Sequence, residues 1–443
     1  MSAEHEIVVS DSEHLARMRQ ITLDLRRATK VKSGRSGKAA ALYRAPLSSV
    51  INNGAWAGRR CFVIGGGPSL AGFDFSRLAG ELVIGINRAY QYFDPAILYT
   101  MDDRFAMWAK DGTLDRALDE ESPRRFENIS AAKVYLRFDK KRMNEFYYIP
   151  RRGGAVLTLS IDDGFCAHGN SGLGGINLAC CLGANPIYLL GFDMDDTEQK
   201  QSWFHDGYPI VNDGDVYKCQ QQSCNRLAPQ MASAGYRIIN LNRDSHLRCF
   251  EFGSMDDIAP LPEPVTVVSY TTDASQRNTV TESTHLFALK CDIGTMIEYS
   301  NGRSNALSEA LFLRETILRH MGHAVAFVRP GARFARFPLF FEQFANSEFD
   351  VAAHPHHGND PFAGTLLVRC NHKTRQMAEM MACAKPHKGS DFADWEALVA
   401  SLDADRLGAL SLNLTRIPDE YCSHKLDGMC SPVIIHRNPE NDL

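Results

Sequence analysis

The stretch Cys61–Asn87, CFVIGGGPSLAGFDFSRLAGELVIGIN, constrains the chain more than any other. An apolar run suited to a buried strand leads into Gly65, Gly66 and Gly67, then Pro68 and Ser69. A short helical stretch follows, and a second apolar run ends in Asn87. This is a strand, loop, helix, strand unit whose loop is nearly stripped of side chains. Consecutive glycines permit positive φ and let a ligand approach the backbone. Pro68 fits the first turn of a helix, and Ser69 sets a hydroxyl beside backbone N–H groups. A diphosphate or nucleotide phosphate suits such a loop, and so does a tight turn with no guest. No Lys follows the glycines, so this is not a Walker loop, and the spacing departs from G-x-G-x-x-G.

The same alternation continues downstream. Leu82–Ile86 reads as the second strand, with Asn87 at its end, and Ile97–Met101 as a third that ends in Asp102 and Asp103. Adjacent acids there suit a ribose, a metal or a surface turn equally. Further strands are expected at Lys133–Arg137 and Val156–Leu159, in a segment where Arg137, Lys140, Arg142, Tyr147, Tyr148, Arg151 and Arg152 suit an anionic ligand. In Asn170–Asp193, Asn170 or Ser171 caps a helix whose small residues Gly172, Gly174, Gly175 and Ala179 allow close packing. Gly183-Ala-Asn-Pro ends it before the strand Ile187–Leu190, which leads to Asp193. A polar loop with Trp203, Phe204, His205 and Asp206 precedes a helix over Val216–Ala234 and a strand over Tyr236–Leu241 that ends in Asn242, Arg243 and Ser245.

Strands alternating with helices predict an α/β fold: a Rossmann-like, mostly parallel sheet with helices on both faces. Polar residues just beyond the carboxyl ends of such strands lie on the ligand side. Residues 1–45 read as a charged helical lead-in with a basic link through Lys30, Lys32, Arg35 and Lys38, and 46–262 as the Rossmann-like domain. The prolines of LPEPV mark a boundary, after which 263–443 form a second α/β domain. Its expected elements are Val265–Tyr270, a helix over Asn305–Met321, Ala324–Val328, Asp350–Ala353, Gly364–Arg369 and Pro432–Arg437. Asp403-Ala-Asp405 reads as a helix end. His354, His356 and His357 with Asp360 read as a polar loop, a transition-metal site being the alternative.

Composition narrows the partners. A net charge of -5 over 443 residues argues against a dedicated nucleic-acid binder. No stretch approaches the roughly 20 apolar residues of a membrane span, and the N-terminus lacks a signal-peptide pattern, so a cytoplasmic protein is expected. Twelve cysteines without a C-x-x-C pair favour reduced thiols, with Cys180 and Cys181 packed in a core.

The succession VIGGGPSL, a strand ending in Asn87, N-S-G at Asn170–Gly172, L-G-A-x-x-I-Y-L-L-G-F-D at Leu182–Asp193 and a closing I-I-N strand resembles one Rossmann-like superfamily. It includes the Campylobacter-type sialyltransferases, the motility-associated factors that glycosylate flagellin, and 6-hydroxymethylpterin pyrophosphokinase-like proteins. The resemblance covers residues 58–260. It implies that Gly65, Gly67, Pro68 and Ser69 line nucleotide phosphates and that Asn87 contacts the donor; Gly66 on the same loop and Asp102 at its strand end are read as part of that donor site from their positions. Asn170, Ser171 and Gly172 would face the donor from a helix N-terminus, Asp193 would meet ribose or base, and His205 would act as general base. The second domain is weakly similar to nucleotide-sugar transferase domains, but Val328-Arg-Pro-Gly-Ala stands where a D-x-D motif would hold metal and diphosphate.

The function so implied is transfer of a sugar from a nucleotide-activated donor to a hydroxyl of a glycan, a protein or modified DNA such as a phage carries; such a site can work without a metal, and Asp102, Asp103 and Asp193 leave the metal question open. The alternatives are an ATP-dependent pyrophosphokinase, which would use Mg²⁺, and a non-catalytic nucleotide-binding protein.

Overall fold

Cys61–Ile64 (β1) and Leu82–Ile86 (β2) are buried at every position, the mark of parallel strands covered on both faces. A computed structural model describes residues 44–114, 126–137, 143–154, 156–194, 214–261, 265–271, 274–295, 306–328, 332–353, 365–384, 404–417 and 434–435. All of them lie in one unit, Leu42–Leu443. The loop with His205, the cluster His354–Asp360 and the basic link fall outside the described residues.

The first sheet adds Ile97–Thr100 (β3), Ala132–Arg137 (β4), Tyr147–Pro150 (β5), Ile187–Leu190 (β6), Ile238–Asn240 (β7) and Glu251–Phe252 (β8). Among the described residues it has eight strands in the order β5-β4-β3-β2-β1-β6-β7-β8, all paired in parallel. It is flanked by Asp103–Lys110 (α1), Ser171–Cys181 (α2) and Gly214–Ser233 (α3). The α/β, Rossmann-like expectation is thus met.

Helix α2 lies against β1, β2 and β3 because its glycines leave room. A Cβ on Gly174 would overlap the Tyr99 phenol, and one on Gly175 would come within 2.6 Å of Ile86 Cδ1. Cys180 and Cys181 are buried in that face, as expected, and burial pushes the Cys181 thiol up to about 12. On the other face Phe62, Ile64 and Val83 pack with Leu70 and Leu78.

Those two leucines come from the short helical stretch expected after the glycine loop, which takes the form of two single 3₁₀ turns, Pro68–Leu70 and Phe75–Leu78. Gly72, at φ 76°, and Asp74, whose carboxylate accepts the Ser76 N–H, break the segment in two. Each turn still supplies one leucine to the sheet. A correction concerns Val156–Leu159, which forms no strand: Val156 is 72% exposed and Leu159 is 42% exposed. The strand in this region is β5, and its Tyr147, one of the aromatic residues read as suited to an anion, is buried under the Arg44 guanidinium at the far end of the sheet from β1.

The second sheet comprises Thr266–Thr271 (β9), Cys291–Thr295 (β10), Ala324–Phe327 (β11), Val351–Ala353 (β13), Leu366–Arg369 (β14) and Leu414–Arg416 (β15), while Arg333–Phe334 (β12) pairs with Ile434–Ile435 (β16). Its order, β10-β9-β11-β14-β13-β15, is mixed, with β14 antiparallel to both neighbours. Its helices are Ala274–His285 (α4), Ala306–Arg319 (α5), Leu339–Ala345 (α6), His372–Ala382 (α7) and Ala404–Ala409 (α8). Asp405 sits in the first turn of α8, at a helix end, while Asp403 lies outside the described residues.

One continuous apolar cluster runs from Val63 and Ile84 of the first sheet to Val267, Ala326 and Leu367 of the second. Trp56, fully buried within it, donates its indole N–H to the Leu286 carbonyl at 2.9 Å.

Candidate functional site

In an open parallel sheet the ligand crevice lies where successive connections leave in opposite directions. Here β1 has β2 on one side and β6 on the other, so that point falls between the loop Gly65–Ser69 after β1 and Gly191–Met194 after β6. Asn87 stands at the end of β2, Asp102 just after β3, and Asn170–Gly172 at the start of α2. The sequence-predicted residues in the described segments thus share the carboxyl edge of the sheet.

The glycine loop behaves differently from its sequence reading. None of Gly65, Gly66 and Gly67 has positive φ; the left-handed residue is Gly191 opposite, at φ 70°. The Gly65 N–H donates to the Leu190 carbonyl at 2.7 Å, prolonging the β1–β6 ladder, and the Gly67 N–H donates to the Gly191 carbonyl at 2.9 Å. The Asp193 carboxylate then accepts the Ser69 N–H at 3.1 Å, the Ser69 hydroxyl at 2.8 Å and the Asn242 amide at 2.9 Å. A Cβ on Gly67 would overlap that carboxylate. Glycine is required here for loop-to-loop contact, and three of the loop's N–H groups are spent on it. Gly66 keeps an N–H with no acceptor among the described residues.

Beside this brace the donors face outward. Asn170 caps α2 by accepting the Leu173 N–H at 3.1 Å, which leaves the N–H groups of Ser171 and Gly172 without acceptors among the described residues. Both residues are partly exposed. The aligned dipoles of an eleven-residue helix add positive potential at this end. Phe192 closes one side, and a Cβ on Gly172 would meet its ring at 2.8 Å. The Ser171 hydroxyl accepts the Met101 N–H at 3.4 Å, tying the helix start to the end of β3.

Asn87 holds the left-handed conformation, φ 50°, that Asn tolerates better than most residues. Its Oδ1 accepts from the buried Thr100 hydroxyl at 2.8 Å, and its amide nitrogen has no acceptor among the described residues. Asp102 caps α1 by accepting the Arg104 N–H at 2.9 Å, and Asp103 accepts from the Tyr135 phenol. Among the described residues no three His, Cys, Asp or Glu side chains converge into a metal-binding group.

The sequence reading missed His168. It lies two residues before the Asn170 cap, at φ 48°, and its Nε2 is buried with no hydrogen-bond partner among the described residues. The available signal was a polar residue directly ahead of the G-N-S-G cap. The supporting shell of Thr100, Asn240 and Ser245 was also illegible as such: Asn240 and Ser245, both fully buried, donate to the Phe192 carbonyl at 3.1 and 2.5 Å and hold the loop after β6 in place.

The fold and this edge define a Rossmann-like α/β protein. A scan against protein-family models finds no match for the chain, and a search of curated proteins finds none either. No helix among the described residues is long and apolar enough to cross a membrane.

Proposed function

We propose that the carboxyl edge around β1, β2 and β6 binds a nucleotide-activated sugar and that the chain transfers the sugar to a hydroxyl acceptor. The observation that carries this reading is the outward-facing donor set of Ser171, Gly172 and Asn87 beside the switch point of a parallel sheet. Negative charge builds on the departing nucleotide, and unsatisfied N–H groups at a helix start stabilise it there. The glycosidic bond to the acceptor oxygen forms as the bond to phosphate breaks, and the nucleotide leaves with the electron pair. His205 takes the acceptor proton, a task suited to imidazole near neutral pH. Acceptors of this reading are a glycan, a protein or modified DNA, met in the cytoplasm where activated sugars are made.

The test is thermal stabilisation by CMP-, UDP-, GDP- and dTDP-sugars and by ATP, with and without Mg²⁺. One nucleotide-sugar at about 100 times its Kd is expected to add about 2.7 kcal/mol to the folded state. Gly172→Val, which crowds Phe192 at the helix start, is expected to remove that gain, and His205→Ala to slow nucleotide release at least about 100-fold. A response confined to ATP with Mg²⁺ would replace sugar transfer with pyrophosphoryl transfer. Ligand binding without turnover would leave a binding protein.

A further inference from the structure

A cavity of about 680 Å³ lies away from the carboxyl edge. Arg59 and Glu81 just precede β1 and β2, and Val265 and Lys290 just precede β9 and β10. It therefore opens at the amino ends of strands from both sheets, beside the segment Met255–Leu261 that leads from one sheet toward the other. Its volume falls in the usual range for small-molecule sites, about 300–1,000 Å³.

Most of the wall is apolar, formed by Phe93, Leu261, Val265 and Phe341 among others. The charges on it are unequal in their pairing. Arg60 and Glu81 satisfy each other through both guanidinium Nε and Nη2, and Arg77 is paired with Asp256. Arg59 is different. Its Nη1 lies 2.9 Å from each Glu342 oxygen, and its guanidinium stacks 4.3 Å from the Phe337 ring centre. Its Nε is buried with no hydrogen-bond partner, and Nη2, on the same edge, has none among the described residues. That edge is the one Arg uses for side-on bidentate recognition of a carboxylate or phosphate. Lys290, exposed on the same cavity, has no ion pair among the described residues. Burial also depresses the Arg59 pKa, so an acceptor missing from the protein is costly there.

We propose that this cavity is a binding site for a small amphipathic anion, with its apolar body against Phe93, Leu261 and Phe341 and its carboxylate or phosphate held by the unpartnered edge of Arg59 and by Lys290. The site is independent of the sugar-transfer reading, because it lies at the opposite ends of the strands.

Calorimetric titration of the full chain with octanoate, octyl phosphate and 1-octanol, each below its micelle concentration, tests it. At least one anion is expected to bind at a single site at least tenfold more tightly than the alcohol, and comparing the two anions tells which head group is preferred. The double substitution Arg59→Met with Glu342→Gln, which removes the pair together, is expected to raise the anion's Kd about tenfold or more. Ala259→Trp, an exposed position on the cavity rim, is expected to block it without unfolding the chain. Equal binding of alcohol and anion, binding unchanged in Ala259→Trp, or no binding of either anion would overturn the proposal. Nucleotide-sugar stabilisation is expected to survive Ala259→Trp, so the two sites fail or stand separately.

Discussion

The two ends of the first sheet's strands use polar groups in opposite ways. At the carboxyl end the glycine loop turns inward: Gly65, Gly67 and Ser69 satisfy their N–H groups on Leu190, Gly191 and Asp193. At the amino end Arg59, on the wall of a cavity of about 680 Å³, keeps a guanidinium edge without a hydrogen-bond partner among the described residues. A motif whose composition promises ligand contact is thus bound up as a brace between two loops. The unsatisfied donors sit beside it, on α2, and at the opposite ends of the strands. Glycine enrichment reports that two backbones, or a backbone and a ligand, come close; it does not report which.

The sharpest way to break this comparison is Gly67→Val. Its side chain would overlap the Asp193 carboxylate and press on the Gly191 carbonyl, so a loss of about 3 kcal/mol of stability is expected by denaturant titration. A near-neutral result would mean that the loop is free to move away and that the brace is weak.

A carboxylate brace remote from either edge calibrates the carboxyl-end one. Asp350, 4% exposed, accepts from the Asn413 N–H at 2.8 Å, from the Asn371 amide at 2.7 Å and from Lys373 at 3.4 Å. Burial alone would raise its pKa, but those donors outweigh it and hold the carboxyl below its ordinary value. A depressed acid stabilises the fold above its unfolded pKa, near 3.9, and loses that contribution as the pH falls through the folded value. Asp350→Asn is expected to cost about 2 kcal/mol at pH 7, and the gap to the native chain is expected to narrow below about pH 4 in melts across that range. A gap that persists unchanged at pH 3 would show that shape, not charge, is what Asp350 supplies.

Asp193→Asn is the smallest effect of the three. Asn keeps one carbonyl acceptor and still fits between Ser69 and Asn242, so about 1 kcal/mol is expected to be lost. Measured beside Asp350→Asn, it separates a rim carboxylate from a buried one. A loss as large as that of Asp350→Asn would make the two braces equivalent despite their different exposure.

The strands were legible from residue type. Leu82–Ile86 and Ile187–Leu190 match their expected ends, because continuous β-branched and leucine runs have few alternatives to a sheet covered on both sides. The Asn170 cap was legible for a local reason too, since its partner is only three residues away. Val156–Leu159 misled because short apolar runs do not declare whether anything will cover them; here Leu157 is held by its N–H on the Gln230 side chain, outside any ladder. The short helical stretch expected around Ser69 is split into two 3₁₀ turns because Gly72 and Asp74 each favour a new turn over continuing the old one.

For the site, the sequence specified which residues reach the carboxyl edge, since strand ends and a helix cap are local and the parallel sheet brings them together. It determined the α/β alternation, the close packing of α2 through Gly174 and Gly175, and the position of Asn87. Only the tertiary structure decided that Asp193 reaches back 124 residues to Ser69, that Trp56 meets the Leu286 carbonyl, and that Arg59 shares Nη1 with Glu342 while its Nε is buried without a partner. Those contacts depend on which chain segments become neighbours at long sequence separation, and a hydrogen bond between distant residues leaves no spacing or periodicity in either segment from which it can be read.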